Sequence, residues 1–405
     1  MTHHLDGIPG LLAPARTFYV ERMHAETGAY ALEWINAFAH LDKKLTSAFV
    51  LHGGTLAQLY LNEFQRLSRD VDLIGMRRGG IEQVLDAIAT RYSRRLFTWE
   101  ETHVADTEVD LQRFSVFFPS AREPGVLVPL KIDVTYLPIR LTTQFVRLGQ
   151  SKIYVPGNTN DSAETLTPAA FIADKLPTLG FDTLGYSRGG GVLGHSDQVW
   201  KQMHDISGLV DASADLEAVL PLFSEGVRVR NTARRMNHSL ESCLNDTWRV
   251  SSIGMAAATY PRNEERAGDE HYAEDVQELR AGLGGYRAYC LREPVPLEIA
   301  SRCGLLARGL AAVGRGDCRA DGLRAIFDHV EELGARARAE EPTRKVLRML
   351  LGRPGNPPGW TAPVASRLAF GLAPAAAIAV YVAGRLSEET KALASTGRFS
   401  FEPGD

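Results

Sequence analysis

Between Phe49 and Gly75 the chain reads FVLHGGTLAQLYLNEFQRLSRDVDLIG, and two aspartates, Asp70 and Asp72, stand inside its closing apolar run. Carboxylates among Val and Leu need a cation to offset their desolvation. On a strand, residues two apart point to the same side, so Asp70 and Asp72 share one face while Val71 and Leu73 pack on the other. Just upstream, Ala48 to Leu51 has strand character and ends at Gly53-Gly54. Thr55 then caps a segment whose Leu56, Leu59, Tyr60 and Phe64 form an apolar helix face. The predicted unit is strand, Gly-Gly turn, helix, strand.

Around this unit, apolar residues recur at helical spacing from Phe18 to Leu45, which predicts one or two N-terminal amphipathic helices. A helix-like segment runs from Ile81 to Phe97, a polar acidic stretch from Thr98 to Leu111, and strands are expected at Phe114 to Phe118 and Val126 to Tyr136. Beyond Asn158 strand signals fade. Pro168 to Leu179, Asp197 to Leu209, Leu216 to Phe223 and Val227 to Leu244 read as helical, with a Gly-rich loop, Ser187 to Gly194, between them. The last third, Glu274 to Ala394, is helical and broken by the turn cluster GRPGNPPGW. The expected fold class is α/β (α+β): residues 1–150 as a mixed-sheet core with N-terminal helices, 151–270 as a helical region completing the active site, and 271–405 as a helical C-terminal domain.

With 405 residues, 44% of them apolar and 23% charged, the chain falls in the ordinary globular class. A net charge of −4 provides no global basic field, so a nucleic-acid partner would be held by local arginine patches. The four cysteines have no metal-ligand spacing and read as reduced thiols of a cytoplasmic protein. The N-terminus lacks a secretion signal, and the apolar stretch Leu368 to Gly384 is shorter than a membrane span.

Two hard carboxylates on one strand face suit Mg²⁺, which takes a few carboxylates and is completed by water and substrate phosphates. Glycine at a strand-to-helix turn fits the same chemistry, because it lets backbone approach a phosphate and the helix N-terminus offers free N–H donors. The expected substrate is a nucleoside triphosphate cradled by Gly53, Gly54 and Thr55. Ser68, two residues before Asp70, joins this face if the strand has already begun; phosphorylating it would set negative charge beside the carboxylates. A third acid is expected to complete the metal site or ionise the acceptor. Asp133 is the candidate, since Lys131, Asp133 and Thr135 share one face and Ile132, Val134 and Tyr136 the other. Asp106, Glu108 and Asp110 alternate too, in a polar setting.

The stretches FVLHGGTLAQLY…RLSRDVDLIG, LKIDVTY and FIADKL together resemble the AbiEii/AbiGii-type nucleotidyltransferase toxins, including the mycobacterial MenT-type toxins, within the polymerase-β-like nucleotidyltransferase superfamily. The resemblance covers about residues 30 to 210. It implies metal binding at Asp70 and Asp72, a triphosphate contact from Lys175 and a catalytic aspartate at Asp205. Near Asp205 the sequence departs from the family: Gln202 and His204 replace an Asp and a Tyr, and Asp197 is a rival. The resemblance further implies an RNA acceptor, a tRNA 3′ end, and an AbiEi-like antitoxin. Arg228, Arg230, Arg234 and Arg235 are candidate RNA contacts, with Arg91, Arg94 and Arg95 as additions. Arg188 lies on the Gly-rich loop, which could form a lid. His271 reads as a surface residue. Two other classes stay open: a small-molecule nucleotidyltransferase with a compact acceptor pocket, and a non-catalytic NTP-binding interaction protein.

Overall fold

The computed structural model describes residues 25–61, 68–91, 98–102, 110–120, 123, 125–136, 141–150, 161–185, 195–213, 215–259, 270–287, 290, 295–339, 378, 379, 382 and 386. They fall into two compact units, one drawn from Met1–Phe171 and Tyr289–Glu293, the other from Ile172–Ala288 and Pro294–Asp405.

The first unit is built on a seven-stranded sheet. Its elements are α1 (Ala25–Ala39), α2 (Lys43–Thr46), β1 (Phe49–His52), α3 (Gly53–Tyr60), β2 (Asp70–Gly75), α4 (Ile81–Arg91), β3 (Thr98–Thr102), β4 (Asp110–Pro119), β5 (Leu127–Tyr136), β6 (Thr143–Arg147) and β7 (Ser162–Leu166). The strand order is β3-β4-β5-β2-β1-β7-β6. β2 runs parallel to β5 and antiparallel to β1. β1 in turn runs parallel to β7, so the strands of the Asp-x-Asp unit occupy the middle of the sheet.

Burial follows the sequence alternation. On β5, Leu130, Ile132 and Val134 are fully buried, while Lys131, Asp133 and Thr135 are only partly covered. On β2, the fully buried Val71 and Leu73 alternate with the two partly covered aspartates. α1 packs against the sheet and places Leu32, Ile35 and Phe38 in the core. Burying a side chain of this size stabilises by about 1.5–3 kcal/mol. That one-sided burial leaves the polar residues of β2 and β5 together on the opposite face.

Three strands go beyond the sequence reading. β3 occupies the stretch expected to be merely polar and acidic, β6 (TQFVR) falls where no element was expected, and β7, SAETL, lies past the point where strand signals fade. None has a long β-branched run. β3 is held by its ladder to β4, β6 by its ladder to β7, and β7 by pairing with β1 and β6. Context overrides propensity at all three.

The second unit is helical. Its main elements are α5 (Pro168–Lys175, whose C-terminal half lies here), α6 (Ser196–Ala212), α7 (Val219–Arg234), α8 (Leu240–Thr259), α9 (Glu270–Arg287), α10 (Pro296–Arg315) and α11 (Gly322–Ala339). α10 lies along α8, and α9 packs on α6 and α8. The α8–α10 approach is close at Gly304, where a Cβ would stand 2.8 Å from the Trp248 ring. Among the described residues no cysteine is in a disulfide, and no helix is long and apolar enough to cross a membrane.

Candidate active site

The sheet register assembles a polar row across four strands. His52 on β1 is opposite Asp72 on β2, Asp72 is opposite Asp133 on β5, and Asp133 is opposite Arg113 on β4. One pleat away, Asp70 on β2 is opposite Lys131 on β5, and Lys131 is opposite Ser115 on β4. Directly opposed residues share a face with Cβ atoms about 5 Å apart. The patch therefore brings together the three expected carboxylates, Asp70, Asp72 and Asp133, with two cations.

Carboxylates at that spacing repel one another unless a cation intervenes. Arg113 supplies one: its Nε donates to Asp133 Oδ1 at 2.7 Å and its Nη2 to Oδ2 at 2.9 Å. Lys131 Nζ lies 3.4 Å from Asp133 Oδ2 and 3.8 Å from Asp70 Oδ2. The hydrogen bonds to Asp133 push the Arg113 pKa above its usual value, with the charges of Asp133, Asp70 and Asp72 acting in the same direction. Asp133 is enclosed, its side chain 15% exposed, whereas Asp70 is 45% exposed.

The glycine turn touches this patch. Gly53 has φ of +72°, in the left-handed region, and a Cβ placed on it would stand 1.8 Å from Asp72 Oδ2. Only glycine fits, because the first residue of α3 rests directly against the Asp72 carboxylate. Thr55 is 1% exposed, and its hydroxyl donates to the backbone carbonyl of Asp70. It pins α3 to the start of β2, a structural task beside the cradling role expected for it. Gly54 follows in the first turn of α3, where backbone N–H groups lack helical acceptors. Ser68 precedes β2 and is 9% exposed.

Of the rival acids, Asp110 forms a well-exposed ion pair with Arg78. Asp106 and Glu108 lie outside the described residues, as do Arg94, Arg95 and the Ser187 to Gly194 loop with Arg188; the side chains of Arg91 and His271 are likewise not described. Among the described residues no three His, Cys, Asp or Glu side chains converge on one metal-sized point.

Lys175 and Asp205 belong to the helical unit, where the structure brings them together. Lys175 Nζ is 3.1 Å from Asp205 Oδ2, with side-chain exposures of 8% and 0%. Gln202, one turn before Asp205 on α6, accepts a hydrogen bond from the same ammonium. The substitution of Gln for Asp thus keeps an oxygen at the lysine. His204 pairs through Nδ1 with the Tyr286 hydroxyl. The rival Asp197 instead pairs with Lys201 at 2.9 Å.

The arginine run divides by direction. Arg230 pairs with Asp174 at 2.9 Å, and Arg234 donates to the carbonyls of Leu184 and Gly185. Arg228 and Arg235 are exposed; Arg228 forms a two-point pair with Glu225, and Arg235 ends α7 in the left-handed conformation. Arg113, Lys131 and His52 are the site residues that sequence reasoning did not assign a role. Lys131 was legible as a neighbour of Asp133 on one face, but the partnership with Arg113 depends on the β4–β5 register.

No curated protein matches the chain. Among solved structures it is similar to the nucleotidyltransferase toxin MenT4 of Mycobacterium tuberculosis, at 12% identity, covering 73% of this chain and 99% of that one with a TM-score of 0.37. It is also similar to an antigenic nucleotidyltransferase-like protein of Paracoccidioides brasiliensis, at 12% identity, covering 54% of this chain and 97% of that one with a TM-score of 0.30. A family model described as nucleotidyl transferase AbiEii toxin, type IV toxin–antitoxin system, matches residues 38–288, well over half of the chain. The chain belongs to the AbiEii family of nucleotidyltransferase toxins.

Proposed function

We propose that this nucleotidyltransferase transfers a nucleoside monophosphate from an NTP to an RNA 3′ end, that of a tRNA, with Mg²⁺ as its metal. The observation that carries the reading is the seating of Gly53 against the Asp72 carboxylate. It sets a helix N-terminus, suited to phosphate, beside an acid suited to a divalent cation.

Asp70 and Asp72 would hold the metal. Their oxygens are hard donors on one strand face, and the exposure of Asp70 leaves room for water and phosphate ligands. When bound, Mg²⁺ supplies charge neutralisation to the triphosphate and the departing pyrophosphate. The chain's own residues bind and orient. The first turn of α3 offers N–H donors to the phosphates, and Thr55 fixes that turn to the Asp70 backbone. The acceptor hydroxyl then forms its bond to the α-phosphorus as the bond to pyrophosphate breaks, a reaction governed by positioning and electrostatics.

As a toxin of a type IV system the protein has an antitoxin counterpart, which we take to be AbiEi-like and to meet it in the cytoplasm. The exposure of Arg228 and Arg235 supports them as the members of the basic run that would meet an RNA backbone. The test is to incubate wild type and Asp72→Ala with each α-labelled NTP and total RNA. Label should enter a tRNA-sized band with wild type alone. Label absent from every wild-type lane, or equal in both proteins, overturns the reading.

A further inference from the structure

We propose that Asp133 is not a metal ligand in this chain but the anchor of Arg113, and that Arg113 with Lys131 receives the polyphosphate of the nucleotide on the polar face of the sheet. The inference rests on the nucleotidyl-transfer reading and deepens it.

Three observations carry it. First, both Asp133 oxygens are already engaged: the Arg113 fork takes Oδ1 at 2.7 Å and Oδ2 at 2.9 Å, and Lys131 adds a second cation 3.4 Å from Oδ2. A metal at Asp133 would have to displace a two-point guanidinium pair, among the stronger charge-assisted arrangements in proteins. Asp70 is three times as exposed as Asp133, and its lysine contact is longer, at 3.8 Å, so a metal there displaces no two-point pair.

Second, guanidinium has five N–H donors and Asp133 takes two of them. The Arg113 side chain is 30% exposed and Lys131 is 41% exposed, so both cations keep donors on the open side of the patch. Asp133 holds the guanidinium plane in one orientation, which lowers the entropy lost when a phosphate oxygen binds the remaining edge.

Third, the charge balance of the patch calls for it. Asp70, Asp72 and Asp133 lie on neighbouring strands, and a polyphosphate approaching three carboxylates would be repelled. Arg113 and Lys131 stand opposite members of that trio in the ladder, converting part of the face from repulsive to attractive.

The test separates the two roles with ligands that need no turnover. Mn²⁺ alone is titrated into the full chain by electron paramagnetic resonance, and inorganic tripolyphosphate by calorimetry in chelator. Asp133→Asn should keep Mn²⁺ affinity within about threefold of wild type, whereas Asp72→Asn should lose it by tenfold or more. Arg113→Ala should weaken tripolyphosphate about tenfold, the loss of one charge-assisted contact, with Mn²⁺ affinity retained. Asp133→Asn should weaken tripolyphosphate several-fold by releasing Arg113. Thermal melts accompany every variant, and Arg113→Lys replaces Arg113→Ala if the latter does not fold; it should restore part of the tripolyphosphate binding. Loss of Mn²⁺ on Asp133→Asn equal to that on Asp72→Asn overturns the inference and leaves nucleotidyl transfer standing. Tripolyphosphate binding unchanged in folded Arg113 and Lys131→Ala variants overturns it as well. Mn²⁺ binding indifferent to Asp72 overturns both readings together.

Discussion

Gly53 is the residue whose replacement should be least tolerated. Its left-handed φ alone would strain any other residue by about 1–2 kcal/mol. The methyl of Gly53→Ala would also occupy the space of the Asp72 carboxylate, so the aspartate must swing away. The expected outcome is loss of nucleotidyl transfer with a lowered melting temperature, checked by labelled-NTP assay and calorimetry on the same sample. A variant that keeps wild-type activity would show that the Gly53–Asp72 contact is incidental. A second residue gives a pH dependence. Burial raises the Glu33 pKa from 4.5 to about 7. The folded chain therefore keeps a proton that the unfolded chain has released, and this group costs stability progressively as pH rises from 4.5 to about 7. Glu33→Gln should stabilise the protein by about 3 kcal/mol above pH 7 and by little below pH 4.5, as read from urea melts at both extremes. Of the site, Asp70, Asp72 and Asp133 were legible because acids alternating with buried aliphatics are chemically conspicuous. Arg113 was not, since a lone arginine in DLQRFSVFF looks like any polar-face residue until its partner, twenty positions on, is brought opposite by the hairpin.

At the scale of elements, period-2 alternation made β2, β4 and β5 readable, and the Gly-Gly-Thr sequence marked the entry to α3. β3, β6 and β7 escaped because their strand character is conferred by neighbours: β7 fills the slot between β1 and β6, where pairing holds a five-residue polar-apolar segment. The α5–α6 contact raises a different question, whether Lys175 is there for chemistry or for folding. Asp205 is wholly buried, and removing the lysine beside it leaves its charge less compensated. Breaking a buried pair by deleting one partner costs about 3–5 kcal/mol. Lys175→Met should therefore destabilise the chain by about that much, and Lys175→Met combined with Asp205→Leu should recover a large part of it. Both are measured by chemical denaturation. If Lys175→Met instead abolishes transfer with an unchanged midpoint, the lysine is catalytic without being structural.

For the whole molecule, an α/β core followed by helices was legible from where strand signals stop, while the split into units needed contacts that no local pattern records. The residues matched to the AbiEii family end at 288, yet the helical unit continues through α10 and α11. α10 is no appendage. Ala300, Cys303, Leu306, Ala307 and Leu310 are each fully buried, and α10 makes the most extensive packing of any helix pair with α8. The fit at Gly304 against Trp248 leaves no room for a side chain, the mark of surfaces that formed together. A chain ended at Ala288 would expose the face of α8 that meets α10, at Trp248, Ser251 and Gly254. Such a patch promotes association and loosens the helices beneath it. The truncated protein is therefore expected to aggregate, or to lose cooperative melting and gain protease sensitivity in the helical unit, even though it retains every family-matched residue. Size-exclusion chromatography with limited proteolysis decides the matter. A monodisperse, protease-resistant product with wild-type transfer activity would show that α8 is stable without α10, and that the matched region is a self-sufficient enzyme.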